Sequence, residues 1–299
     1  PPGKGRSGLR DDQHKDGKNA RQVVRWLEDK DYGNQPFFIA LGFQKPHVPF
    51  LAPDKYFDLY SFDKISYKTD RPNLWDFLPS SALSKRYEAF GFEFAKENHS
   101  LRKEYIQAYH ACVSFIDAQL GLVMDTLKKQ GLWDETIILF TSDHGYHLGD
   151  HFIWGKVTLF DIGAKVPFII RAPGLSQSGT TSEAMVELID IYPTLADLAG
   201  LKAPGHLQGK SLRPLLGHPE RLGKRKYAYS VVTRGPKNFG YALRNQNWRY
   251  GKWPDGEELY NLRIDPQEKN NLAQKDHVKE RLKNFRSILT EKQKVFEDN

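Results

Sequence analysis

Between Ile106 and Leu127 the residues Ile106, Tyr109, Val113, Ile116, Leu120, Val123 and Leu127 fall three and four apart, a pattern that restricts the fold more than any other. It predicts a long amphipathic helix, ended by Gly131, whose apolar stripe must lie against another element. The run "TIILF" follows almost at once and reads as a buried strand. The same alternation recurs elsewhere. "NARQVVRWLEDK", with Val23, Val24 and Leu27 at helical spacing, precedes the apolar run "PFFIALG", bounded by Pro36 and Gly42. "VPFIIRAPG" precedes the helical "VELIDIYPTLADLAG", with Pro193 near its first turn. Strands alternating with helices predict an α/β fold: a mainly parallel sheet flanked by helices.

The stretch from Phe50 to Ser100 is rich in Tyr, Phe, Pro and Asp without a period, and reads as a long excursion over a surface. After about Lys226 the character changes to short aromatic and β-branched pieces, "KYAYSVVT", "GYALRNQNWRYGKW" and "EELYNL", separated by Gly, Asn and Pro. These predict a small antiparallel sheet closed by a charged helix from about Asp276. The expected division is therefore 1–225, a large α/β domain, and 226–299, a small α+β subdomain.

Composition supports a globular chain: 39% of the 299 residues are hydrophobic and 13% aromatic, and no apolar run reaches the roughly eighteen residues of a membrane span. Cys112 is the only cysteine, which excludes an intrachain disulfide and a cysteine-based zinc site. It sits inside the amphipathic helix and reads as a packing residue. Lys and Arg outnumber the acids 44 to 37, a balance that suits an anionic partner. The first twenty residues hold neither an initiator methionine nor the apolar core of a signal peptide, so the chain is expected to be the later part of a longer protein.

The chemistry gathers after the strands, where ligands of open α/β sheets collect. "TSDHGYHLGDHFIWGK" follows "TIILF" and places Asp143 and His144 side by side at a strand end, with Gly145 permitting the chain to turn. Both side chains can reach one cation. Lys156 adds a compact positive charge suited to an anionic oxygen. In "ALGFQKPHVPF" prolines on both sides hold the backbone around His47, which suits an imidazole presented for proton transfer.

These segments together carry a resemblance. "FFIALGFQKPHVPF", "TIILFTSDHGYHLGDHFIWGK", "KVPFIIRAPG", "DIYPTLADLAG" and "ELYNLRIDPQEKNNLA", in this order from about residue 20 to 275, resemble the type I sulfatases of the alkaline-phosphatase-like superfamily. The similarity is greatest to their iduronate-2-sulfatase-like branch. The resemblance implies that Asp143 and His144 are metal ligands, usually for calcium. It implies that Lys156 contacts the sulfate and that His47 lies near the ester oxygen. It further implies a sulfated sugar or polysaccharide as substrate, a formylglycine nucleophile made from C/S-x-P/A-S-R, and a periplasmic or secreted location. A nucleic acid is not an expected partner.

Two departures bear on activity. No C/S-x-P/A-S-R motif occurs in these residues, and the aspartate pair that supplies further metal ligands at the family's first strand is absent. Both are expected on a missing N-terminal segment, without which the chain should be inactive. Gln44 stands where iduronate sulfatase relatives tend to have histidine, which leaves sugar specificity open. Two alternatives remain: a phosphoester or phosphonate hydrolase of the same superfamily, and a non-catalytic polyanion-binding protein.

Overall fold

The computed structural model describes residues 2–29, 31–33, 35–83, 87–93, 96–236 and 238–297. Its backbone forms two units, Pro1–Thr69 with Tyr87–Thr136, and Asp70–Arg86 with Ile137–Asn299. This is a division by compactness, distinct from the division by sequence character at residue 225. The second unit contains both the 137–225 stretch and the C-terminal sheet.

In the first unit, β1 (Lys4–Arg6) pairs in parallel with β2 (Phe50–Ala52), and α1 (Lys15–Asp29) packs on the 31-residue α3 (His99–Lys129). A four-residue α2 (Asp54–Phe57) and the 3-10 turn Phe62–Lys64 interrupt the otherwise irregular chain that follows Phe50 in this unit. Asn98 caps α3, its side chain accepting the Leu101 N–H at 3.1 Å. Of the expected stripe Ile106, Val123 and Leu127 are buried, together with Tyr105, Ala108, Ala111, Cys112, Phe115 and Gln119, whereas Val113 is 39% exposed. Burial pushes the Cys112 thiol up to about 12, consistent with an inert packing residue.

The apolar run at 36–42, expected as a buried strand, belongs to no ladder among the described residues, and Phe38 is 81% exposed. Apolar character suits a residue to a strand, yet only a neighbour that takes its N–H and C=O groups makes one.

In the second unit, β3 (Ile138–Thr141) pairs with β6 (Phe168–Arg171), Ile138 opposite Arg171. This pairing is antiparallel, an exception to the mainly parallel sheet expected, whereas β1 and β2 pair in parallel. A parallel return needs a crossover, usually a helix. The intervening chain instead holds a hairpin, β4 (His147–Leu148) with β5 (Trp154–Gly155), and the four-residue α4 (Asp161–Ala164). After α5 (Ile191–Leu198) and the short α6 (Arg213–Leu216) comes the predicted antiparallel sheet. Its strands are β7 (Ala228–Thr233), β8 (Phe239–Arg244), β9 (Trp248–Trp253) and β10 (Gly256–Asn261), in the order β10-β9-β8-β7. The closing helix is α7 (Lys279–Glu297).

The two faces of that sheet follow the strand period of two. Leu243, Tyr250 and Leu259 pack on Val278, Leu282, Phe285 and Leu289 at α7. Each such side chain contributes about 1.5–3 kcal/mol of burial. The opposite face presents Ala242, Trp253 and Tyr260 to Leu159, Ile153 and Phe160. The segment carrying Lys156 is therefore seated on the C-terminal sheet. Among the described residues no helix is long and apolar enough to cross a membrane.

Candidate active site

Where β3 ends the chain turns sharply. His144 N–H donates to Asp143 Oδ1 at 3.1 Å, and Ser142 Oγ donates to the His144 carbonyl at 3.0 Å. His144 Nδ1 donates to the Gly145 carbonyl at 2.9 Å, which leaves Nε2 as the nitrogen with a lone pair. That Nε2 lies 3.4 Å from Asp143 Oδ2. The two candidate ligands thus face the same side, and both line a cavity of about 1640 Å³. An imidazole nitrogen and a carboxylate oxygen so placed fit part of the shell of a divalent cation. Among the described residues no group of three or more His, Cys, Asp or Glu is arranged to hold a metal.

Gly145 is required by its surroundings: its N–H donates to the Gly163 carbonyl at 2.9 Å, and a Cβ there would stand 2.0 Å from the Ile162 carbonyl oxygen. This contact ties the Asp143–His144 turn to the end of the Lys156 segment. Val157, next to Lys156, also lines the cavity and holds φ at 67°, a left-handed conformation rare for a β-branched residue. Lys156 is half-buried, and among the described residues no ion pair of its ammonium with a carboxylate is formed.

The hairpin before Lys156 is organised by a histidine that motif reading passed over. His147 is fully buried, its Nδ1 donating to the Asp150 carbonyl at 3.1 Å and its Nε2 accepting from Thr158 Oγ1 at 2.8 Å. Burial, reinforced by the neighbouring His151, pushes the imidazole down to about 3. It is therefore a neutral structural group. Glu268 is a second such residue; it belongs to the "DPQEKNNL" run, and nothing local marks it as a partner of residue 161.

His47 lies in the first unit and Lys156 in the second, and each is placed by its own surroundings. Asp16, buried in α1, accepts the N–H groups of Gln44 and Lys45 at 2.8 and 2.9 Å and so holds the K-P-H segment. Lys45 Nζ donates to the Pro49 carbonyl at 2.6 Å. His47 Nδ1 donates to the Val48 carbonyl at 2.7 Å, leaving Nε2 on an exposed ring. The signal for Asp16 was an acid in the first turn of a helix, which alone reads only as a favourable helix start.

The family described as Sulfatase matches residues 3–201, and the one described as N-sulphoglucosamine sulphohydrolase, C-terminal, matches residues 149–295. A sulfatase of Formosa agariphila is 37% identical over 274 residues, covering 90% of this chain and 52% of its own length. Iduronate 2-sulfatase of Mus musculus is 29% identical, covering 80% of this chain and 55% of its own. The chain thus spans about half the length of these relatives. The crystal structure of a phosphonate monoester hydrolase of Agrobacterium radiobacter superimposes with a TM-score of 0.83 at 26% identity, over 98% of this chain and 64% of that one. With motif order, fold and two family matches in agreement, the chain belongs to the sulfatase family.

Proposed function

We propose that this chain is the later portion of a sulfuric ester hydrolase acting on a sulfated sugar or polysaccharide. The observation that carries the reading is the pair Asp143 Oδ2 and His144 Nε2, 3.4 Å apart and lining one cavity, in a chain of the sulfatase family. The sugar follows from relatives such as the iduronate 2-sulfatase. Asp143 and His144 would hold a divalent cation, calcium by family resemblance. Bound there, the cation would supply positive charge to the oxygens of the transferring group. Lys156, with no acidic partner among the described residues, would bind a sulfate oxygen through Nζ. His47, whose Nδ1–H is held by the Val48 carbonyl, would in its doubly protonated form give the Nε2 proton to the departing alcohol. The formylglycine nucleophile and the remaining metal donors would come from a segment outside this chain.

The likeness to a phosphonate monoester hydrolase keeps one second reading, hydrolysis of phosphonate or phosphate esters with the same residues. The test uses the chain alone and the chain completed with the front portion of a sulfatase relative, assayed on aryl sulfate, sulfated disaccharides and an aryl phosphonate. Sulfate turnover only in the completed protein, lost in Lys156→Ala, is the expected result. Turnover by residues 1–299 alone would overturn the placement of the nucleophile. A preference for the phosphonate would select the second reading.

A further inference from the structure

Lys156 lies at the centre of the segment 151–161, and one residue from far along the chain touches both ends of that segment. His151 Nε2 donates to the backbone carbonyl of Glu268 at 3.2 Å, and the Asp161 N–H donates to Glu268 Oε2 at 2.6 Å. Glu268 itself is 2% exposed. Its other carboxylate oxygen takes the Nε–H of Arg249, a β9 residue that is 1% exposed and also bonds Glu258 Oε2 at 3.3 Å. Glu258 is held in turn by Trp253 Nε1 at 3.0 Å and the Tyr260 hydroxyl at 3.1 Å. The Arg249 guanidinium sits over the Phe160 ring, and that ring stacks on His151 with centroids 4.1 Å apart.

This arrangement is costly. Two carboxylates share one buried guanidinium, and an ionic cluster of this kind contributes little or nothing net to stability compared with apolar packing. Glu268 also holds φ at 55°, where residues other than glycine are disfavoured. Strain and buried charge on one residue that closes one loop are the marks of a geometry being specified rather than a core being stabilised. We propose that Glu268 is a positioning residue, which staples the segment 151–161 at both ends and thereby sets the place of Lys156 from the C-terminal sheet. The hydrogen bond between Gly145 and Gly163 extends the same constraint to the turn bearing Asp143 and His144. The role assigned to Lys156 rests on the sulfatase reading; the stapling does not.

Hydrogen exchange by mass spectrometry on residues 1–299 tests the staple, and titration with inorganic sulfate tests its consequence. In Glu268→Ala the amides of 155–161 should exchange about ten-fold faster or more, the scale of one lost charge-assisted hydrogen bond. Those of β9 and β10 should hold, because Arg249 keeps Glu258. Glu268→Gln keeps an oxygen for the Asp161 N–H but turns its NH2 toward the Arg249 Nε–H, so it should restore part of the protection at 155–161. Sulfate affinity, measured against Lys156→Ala as the blank, should fall in Glu268→Ala and recover in part in Glu268→Gln. Unchanged exchange at 155–161 in Glu268→Ala overturns the proposal. So does an equal loss of protection in β9 and β10, or a failure of glutamine to rescue. Faster exchange at 155–161 with no sulfate binding even in the unmodified chain would uphold the staple and overturn the sulfate role of Lys156.

Discussion

Lowering the pH from 7 to 5 should destabilise the second unit through His147, and the size of the effect follows from its surroundings. The neutral ring is satisfied at both nitrogens, by the Asp150 carbonyl and Thr158 Oγ1, and the side chain is fully buried. A second proton would place an unshared charge in that interior. The folded ring therefore titrates at about 3, against 6.5 when exposed. Between these values the unfolded state binds more protons, so stability from this group is complete above about pH 6.5 and is lost as pH falls toward 3. The whole interval is worth about 5 kcal/mol, of which about 2 kcal/mol is lost by pH 5. Glu268 acts with the opposite sign: burial raises its carboxyl to about 7 from 4.5. Below that value the folded state keeps a proton that the unfolded state releases, so this contribution is lost as pH rises from 4.5 to about 7, above which Glu268 is the carboxylate that Arg249 and the Asp161 N–H hold. Comparison with His147→Gln removes this background. Urea unfolding followed by tryptophan fluorescence at pH 7, 6 and 5 should give the variant a pH dependence about 2 kcal/mol shallower than the parent. Equal slopes would refute the assignment of His147 as a buried neutral base.

Gly145→Ala should destabilise by about 2–4 kcal/mol in urea unfolding, because its Cβ meets the Ile162 carbonyl oxygen at 2.0 Å and backbone must move. An ordinary surface cost, below about 0.5 kcal/mol, would mean that the turn is not tied to residues 162 and 163. Asp16→Asn leaves one of the Gln44 and Lys45 N–H groups without its carboxylate oxygen, and should cost about 1–3 kcal/mol, read as a lower urea midpoint. In a completed enzyme Lys156→Ala should lower kcat about 10²–10³-fold with unfolding free energy changed by less than about 0.5 kcal/mol. Asp143→Ala and His144→Ala should each weaken calcium binding measured by calorimetry on the completed enzyme, and an unchanged Kd would remove that residue from the ligand set.

The local elements were legible in the sequence because each follows from a short-range period or a turn residue. The α3 periodicity, the Gly- and Asn-punctuated strands of the C-terminal sheet and the charged closing helix α7 depend on neighbours within a few residues, and they appear where the pattern put them. The placement of Asp143 and His144 on one side of a turn was legible for the same reason, since adjacent residues and a following glycine leave the chain few choices. Tertiary structure decided what depends on partners distant in sequence. "TIILF" and "VPFIIR" are apolar whichever way their neighbour runs, so their antiparallel pairing was set by the short hairpin and α4 between them. "PFFIALG" is equally apolar, yet without a neighbour to take its backbone hydrogen bonds it forms no ladder among the described residues. Nor does any local pattern in "DPQEKNNL" announce that Glu268 will receive the N–H of Asp161. Hydrogen bonding across that interval depends on how the C-terminal sheet folds back, and a long-range contact of this kind leaves no periodic trace in either segment.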